Sequence, residues 1–294
     1  MSGVRVRAEL ALVGIALIWG TTFVVVKSAL SDASTLAFLA VRFSFASLLL
    51  FLVFRSRLAA AVPGRTSWLG GAVCGVFLFI GYALQTAGLR YTSASNSAFL
   101  TGLYVVLVPL LASILSRKNV RLLEWAACGL ALLGTALMTG LGTGSWNRGD
   151  LLTLGCAFAF SAHIVAVAHW SSKLNYEWLT FFQVAGVAVL SLMTFGWMET
   201  PFLVWTPRLA GALAVTAALA TALSFSLYTW AQRHTTATRA ALLFALEPVF
   251  AGVVAWGFAG ERWNRLALFG AGLILSSIVL VELRPNVQKE QAGP

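Results

Sequence analysis

Apolar residues run for about twenty positions at a time along this chain, broken by short polar segments, and ten such runs can be placed. They fall at 8–28, 33–54, 67–89, 94–115, 122–140, 150–171, 177–197, 207–231, 238–259 and 264–283. Each is long enough to cross a hydrocarbon core of about 30 Å at about 1.5 Å per helical residue. Backbone groups in lipid must be paired internally, which leaves helices or closed barrels. Run length and the absence of period-2 alternation favour helices. The pattern therefore predicts an all-α integral membrane protein with ten transmembrane helices.

Polar positions at the ends of these runs carry a second pattern. The stretch RYTSASNSAFLTGLYVVLVPLL from Arg90 to Leu111 returns in altered form as RHTTATRAALLFALEPVFAGVV from Arg233 to Val254, an offset of 143. The same offset pairs Leu84 with Leu227, Thr86 with Thr229, Thr92 with Thr235, Ala98 with Ala241 and Gly129 with Gly272. Two related units are expected, 8–140 with helices one to five and 150–283 with helices six to ten, followed by a tail at 284–294. Five passes is an odd number, so the second unit enters the membrane from the opposite face. The halves are then inverted repeats around a central cavity, an arrangement common in secondary transporters.

Composition narrows the class. The chain has 294 residues, 59% hydrophobic and 10% charged, against about 45–50% and about 25% in soluble proteins. No segment between runs is long enough for a soluble domain. With the N-terminus inside, thirteen Lys and Arg fall in inner segments and six in outer ones. Both termini are therefore expected in the cytoplasm, with the chain in the cytoplasmic (inner) membrane. MSGVRVR followed by an apolar run has the outline of a signal peptide, but Lys27 interrupts it, and a retained first helix is expected. The net charge of +10 is spread singly or in pairs, without the basic stripe that nucleic acid requires. Cys74, Cys128 and Cys156 lie inside apolar runs without C-x-x-C spacing, so neither a disulfide framework nor a metal site is expected.

Residues that do not belong in lipid are the functional candidates. Arg42 lies near the middle of the second run, where an arginine costs about 2.5–3.5 kcal/mol to insert. It either bonds neighbouring helices or meets an anionic group of a solute, and its repeat counterpart, at an offset of 141, is Gln183. Glu247 is the one carboxylate well inside a run, followed by Pro248, which removes a backbone donor and bends the helix. It is either a proton or solute contact or one half of a fixed ion pair with Arg42 or Lys27, and its counterpart is Tyr104. His163, central in the sixth run, is either a packing residue or a second proton-coupling candidate beside Glu247. Lys27 is expected to snorkel to the interface.

Trp19, Thr22, Gln85, Asn96 and Tyr228 complete the expected cavity set with hydrogen bonds and ring faces. The turns Arg90–Tyr91–Thr92 and Arg233–His234–Thr235 are gate candidates, one for each mouth. Thr92, Ser93, Thr235 and Thr236 are expected to cap helix starts. Gly81, Gly88, Gly102 and Gly129 are expected to let helices approach closely.

No G-x-S-x-G, H-E-x-x-H, phosphate-loop or dinucleotide motif occurs. No cofactor, metal or enzymatic activity is expected. Ser161 and His163, the nearest approach to a nucleophile and base, stand two residues apart and point to different helix faces.

The segments IWGTTFVVVK, LAVRFSFASLLL, TSASNSAFLTGLYVVLVPLL and TATRAALLFALEPVFAGVVAWGFAGERW resemble EamA-type permeases of the drug/metabolite transporter superfamily. The likeness spans nearly the whole chain as two tandem units. It implies ten helices in an inverted five-plus-five arrangement and movement of small metabolites by alternating access, often export of amino acids or drugs. By position it marks Trp19, Gly20, Lys27, Arg42, Glu247, Pro248, Gly260 and Glu261. The first unit departs from it: Arg117 and Lys118 stand where the second has Gly260 and Glu261, and Pro109 lies four residues later than the match of Pro248. The partners expected are a small solute, the lipid bilayer and, through Glu247 and His163, protons. A lipid flippase or a non-transporting scaffold is the alternative, and an intramembrane enzyme a more distant one.

Overall fold

The computed structural model describes residues 3–60, 63–116, 120–139, 146–259 and 264–282. Arg117, Lys118, Gly260, Glu261 and the tail 284–294 lie outside these. The described residues are helical, apart from turns and a single bridge between Ala33 and Leu203. The helices are α1 (Gly3–Ala29), α2 (Thr35–Ala60), α3 (Arg65–Gly88), α4 (Ala94–Gly102), α5 (Tyr104–Ser116), α6 (Leu122–Thr139) and α7 (Arg148–Ser171). There follow α8 (Tyr176–Met198), α9 (Pro207–Val215), a π-helical stretch (Thr216–Leu223), α10 (Ser224–Gln232), α11 (Ala237–Phe244), α12 (Glu247–Ala259) and α13 (Arg265–Glu282).

Among the described residues eight segments are long and apolar enough to cross a membrane: α1, α2, α3, Asn96–Leu115, α7, α8, Pro207–Gln232 and Ala237–Val254. The runs read at 122–140 and 264–283 correspond to the shorter apolar helices Leu122–Met138 and Arg265–Leu280. The 18 residues of α6 rise about 27 Å, just under a hydrocarbon thickness of about 30 Å.

Three runs that read as single helices are not single helices. The fourth breaks at Leu103 between α4 and α5, and the ninth at Ala245–Leu246 between α11 and α12, 143 residues on from 103 at Leu246. At both breaks the backbone tightens to three-residue bonds, Val106 N–H to Leu103 O at 3.1 Å and Leu246 N–H to Leu243 O at 3.2 Å. Pro248 is the second residue of α12, where its missing N–H would have had no intrahelical partner in any case. The first unit breaks without a proline, so proline is not what causes the break. The eighth run contains the π-helical stretch.

The packing places α6 along α13, α2 along α8, α3 against α7 and α8, and α1 against α10 and α12. Close crossings need residues without a Cβ. On Gly134 or Gly270 that atom would lie 2.5 Å from the other's carbonyl oxygen, which joins α6 to α13 at backbone contact. Gly81 and Gly88 sit equally tightly, against Phe160 and Thr153. Gly102 makes only ordinary contact, and nothing lies within 4 Å of a Cβ on Gly129. The expectation for Gly129 is therefore corrected: it faces open space beyond the helix.

Large apolar side chains such as Leu48, Phe51, Leu52, Leu192 and Met193 are exposed on the outer face, where a lipid-embedded bundle places them. Caps close the helix ends. Asn147 and Asp150 form a reciprocal capping box on α7. Thr206 caps α9 ahead of Pro207. Glu199 reaches across from the end of α8 and accepts from Leu36 and Ala37 N–H at 2.8 and 3.1 Å, putting a carboxylate at the start of α2.

Candidate functional site

Inside the bundle lies a cavity with an empty volume of about 690 Å³, part of it open to solvent. Helices from both sequence halves build it: α1, α2, α3, α4 and α5 from the first, α7, α10, α11 and α12 from the second. Eight of the ten residues expected in the cavity set line it: Trp19, Thr22, Arg42, Gln85, Tyr104, His163, Tyr228 and Glu247.

Arg42 is 3% exposed, so almost all of its charge is removed from bulk solvent. Its Nε–H donates to Thr221 Oγ1 at 2.9 Å and one terminal nitrogen to Tyr82 Oη at 3.5 Å. The guanidinium carbon stands 4.7 Å from the centre of the Tyr82 ring and 5.2 Å from that of Phe43, a cation–π arrangement. Among the described residues no carboxylate pairs with it.

Glu247 opens α12 and accepts from Tyr104 Oη at 3.0 Å. The fixed ion pair with Arg42 or Lys27 is thus absent among the described residues. Lys27 donates instead to the carbonyls of Leu89, at 3.3 Å, and Thr92. Its ammonium is held by the turn after α3 and does not snorkel freely. Gly20 makes the approach of α12 possible, since a Cβ there would sit 2.4 Å from Glu247 O.

His163 Nε2–H donates to Gln183 Oε1 at 2.7 Å, and Gln183 Nε2 in turn donates to Thr229 Oγ1 at 3.0 Å. Gln183 therefore stands behind the wall as the partner of His163 and does not line the cavity. Asn96 is also outside it: its backbone N–H binds the cap Ser93 Oγ at 3.0 Å in the first turn of α4. Thr22 donates to Trp19 O at 2.7 Å, and Gln85 to Thr101 Oγ1 at 3.2 Å. The Tyr228 hydroxyl is buried without a partner among the described residues. Trp19, Phe225, Tyr228 and Phe244 form one ring cluster, with centroid separations from 5.0 to 6.2 Å.

Sequence reasoning missed Tyr82, Thr221 and the ring pair Phe225 and Phe244. Tyr82 was within reach, standing one helical turn before Gln85 as a polar ring inside an apolar run. Thr221 sits among Ala, Leu and Thr with nothing local to mark it.

The two gate turns differ. Arg90 donates to Thr35 Oγ1 at 2.9 Å and to the carbonyls of Leu30 and Ala33, tying its turn to the α1–α2 connection. Thr92 donates to Asp150 Oδ1, and Tyr91 lies under Arg148 at 5.5 Å. At the same end Arg208 grips Asp32 through both carboxylate oxygens, at 2.6 and 2.9 Å. That pairing, with a hydrogen bond from Thr206, holds the Asp32 carboxyl down at about 2.

The other turn is looser. Arg233 and His234 are exposed, and Thr235 Oγ1 is buried without a partner among the described residues. At that end Arg239 of α11 meets Glu9 of α1 at 3.2 Å. The cap expectation is corrected at both turns. Ser93 and Thr236 cap α4 and α11, whereas Thr92 is drawn to Asp150 and Thr235 does not reach a helix N–H. Ser161 donates to Ala157 O at 2.6 Å and has no bond to His163.

The model of the EamA-like transporter family matches residues 6–140 and again 147–283. The chain belongs to the EamA-like transporter family. An uncharacterized transporter of Archaeoglobus fulgidus is 35% identical to this family member over 282 residues, covering 95% of the chain and 87% of the relative. The uncharacterized transporter YvbV of Bacillus subtilis is 25% identical, with 98% and 95% covered, and the uncharacterized inner membrane transporter YedA of Escherichia coli 26% identical, with 93% and 90% covered. A crystal structure superposes with a TM-score of 0.76 at 17% identity, covering 94% of this chain and 96% of that one, a likeness of fold. Family and helices together make this EamA-like chain a multi-pass membrane protein of transporter type.

Proposed function

We propose that this protein is a secondary carrier that moves small organic solutes, such as amino acids or drug-like compounds, across the cytoplasmic membrane by alternating access. The observation that carries this reading is the cavity itself. It holds one arginine and one carboxyl inside an apolar bundle, at a site where each would be too costly to keep without a use. Arg42 favours solutes bearing a carboxylate. Glu247 and His163 are the groups through which a proton would be coupled. The lining is mostly apolar and rich in rings, and the ionisable groups set into it, Arg42, His163 and Glu247, favour a solute carrier over a lipid flippase.

Ten passes in two inverted units belong to the same proposal. Tyr104 and Glu247 occupy matching places in the two units, 143 residues apart, and bond each other at 3.0 Å. Residues related by a twofold axis meet only on that axis. Exchanging the halves also turns the packing of α3 on α7 into that of α10 on α1, and α5 on α7 into α12 on α1, while α2–α8 and α6–α13 map onto themselves. Both patterns support a pseudo-twofold axis through the cavity. With both termini cytoplasmic, the firmly tied Arg90 turn lies outside and the looser Arg233 turn inside.

Purified protein in liposomes, offered a panel of amino acids, organic anions and cationic drugs with and without a pH gradient, tests the reading. Saturable uptake of at least one class is expected. No uptake of any would refute it.

A further inference from the structure

Among the described residues one stretch departs from α-helical geometry for eight residues, the π-helix Thr216–Leu223. Such segments are rare and are found disproportionately where a side chain serves a function. The hydroxyls of Thr221 and Ser224 donate to carbonyls five residues back, Thr216 O and Leu219 O, at 2.8 Å each. The stretch supplies two acceptors to the cavity wall: Ala220 O takes the Trp19 indole N–H at 2.9 Å, and Thr221 Oγ1 takes Arg42 Nε–H at 2.9 Å. The matching first-half positions, 143 residues earlier, are Val73–Ile80 inside the ordinary helix α3, with Leu78 in the place of Thr221. The device belongs to one half only, so the fold's repetition does not account for it.

A guanidinium offers two hydrogen-bonding edges, a side edge with the Nε–H and an end edge shared by the two terminal nitrogens. On Arg42 the Nε–H of the side edge is taken by Thr221 at 2.9 Å, and one terminal nitrogen makes a longer bond to Tyr82 Oη at 3.5 Å. The rings of Tyr82 and Phe43 hold the plane. The other terminal nitrogen has no partner among the described residues, so the end edge is held only by the long Tyr82 bond, and Arg42 is the one Lys or Arg in the described lining. Thr221 donates its own proton to Thr216 O, so its oxygen has a lone pair free for Arg42 and no freedom to turn away.

Resting on the carrier reading, we propose that Thr221 is a positioning residue. By filling the side edge of Arg42 it presents the end edge to the solute and makes the pocket select a planar, singly charged carboxylate over its neutral isostere. One end edge offers two parallel N–H groups, the fork a carboxylate matches.

The test uses the purified full chain in detergent, with Thr221→Val, which keeps the shape and removes the hydroxyl, and Thr221→Ser, which restores it. Nitrogen-15 arginine spectra report the first step. The Arg42 Nε–H signal, assigned by its loss in Arg42→Lys, should be protected from exchange in the wild type and in Thr221→Ser and unprotected in Thr221→Val. Calorimetry with benzoate and benzamide reports the second. Thr221→Val should weaken benzoate about tenfold, the size of a lost bond to a charged group, and leave benzamide within about twofold. Thr221→Ser should recover benzoate.

A protected signal in Thr221→Val, or equal weakening of both probes, would overturn the positioning role. A wild type that binds benzoate no better than benzamide would overturn the selection. If that same preparation still moves other solutes in liposomes, the carrier reading survives both failures.

Discussion

Gly20→Ala inserts one methyl group between α1 and the start of α12. The new Cβ would stand 2.4 Å from Glu247 O, 3.2 Å from its carbonyl carbon and 3.3 Å from Ala251 N, against ordinary contact beginning at 3.4 Å. The obstacles are backbone atoms, so no side chain can swing aside, and α12 must withdraw by the shortfall of 1.0 Å, which is 3.4 minus 2.4. Overpacking of this kind costs about 1–3 kcal/mol. Alanine in place of glycine returns about 0.5–1 kcal/mol by lowering the entropy of the unfolded chain. A net loss of up to about 2.5 kcal/mol remains by that bookkeeping. The displaced residue is also the one that accepts from Tyr104 Oη at 3.0 Å. Gly14→Ala, in the same helix with nothing within 4 Å of its Cβ, is the control. The assay is thermal unfolding of the purified protein in detergent, with uptake in liposomes beside it. Gly20→Ala should unfold at a lower temperature and transport poorly, and Gly14→Ala should be unchanged or slightly stabilised. A Gly20→Ala protein as stable and as active as Gly14→Ala would refute the reasoning.

Arg42→Gln should slow liposome uptake of carboxylate solutes by about tenfold or more, as expected for loss of a charge-assisted hydrogen bond, and should spare neutral solutes; equal loss for both would assign Arg42 to structure. Glu247→Gln should abolish the part of transport that follows an imposed pH gradient while exchange of solute persists, and a gradient response left intact would remove Glu247 from coupling. The Asp32 carboxyl is held down at about 2 by Arg208, below its ordinary 3.8, so its contribution to stability is fully present above pH 4 and is lost as pH falls through about 2. Unfolding temperature should therefore drop more steeply over that acid range in the wild type than in Asp32→Asn, and less so in high salt, because Arg208 is 54% exposed. Parallel acid profiles would refute the assignment.

Much of the site was legible because a charge in lipid is conspicuous. Arg42, Glu247 and His163 stood out as single polar residues in apolar runs, and all three line the cavity. Gln183 and Asn96 stood out by the same signal and do not line it, one serving as the partner of His163 and the other starting a helix. Polarity inside an apolar run says that a side chain must avoid lipid, but not whether it meets solvent or another side chain. Thr221 shows the converse, since a threonine in TAALATAL has many local uses and only the π-helical register aims it at Arg42. The pairing of Arg90 with Thr35 and of Lys27 with Thr92 likewise joins residues 55 and 65 positions apart.

The order of apolar runs, the duplication at an offset of 143 and the residues too polar for lipid belong to the sequence by itself, because hydrophobic length and chain repetition are properties of a one-dimensional string. Where the long runs break, which glycines admit a neighbouring helix, and that Tyr104 and Glu247 face each other while Arg42 bonds Thr221 were decided only in three dimensions. The reason is physical. In lipid every helix is comfortable alone, so packing between helices, set by close backbone approach and by hydrogen bonds across distant segments, selects one arrangement among many that the same apolar pattern would allow.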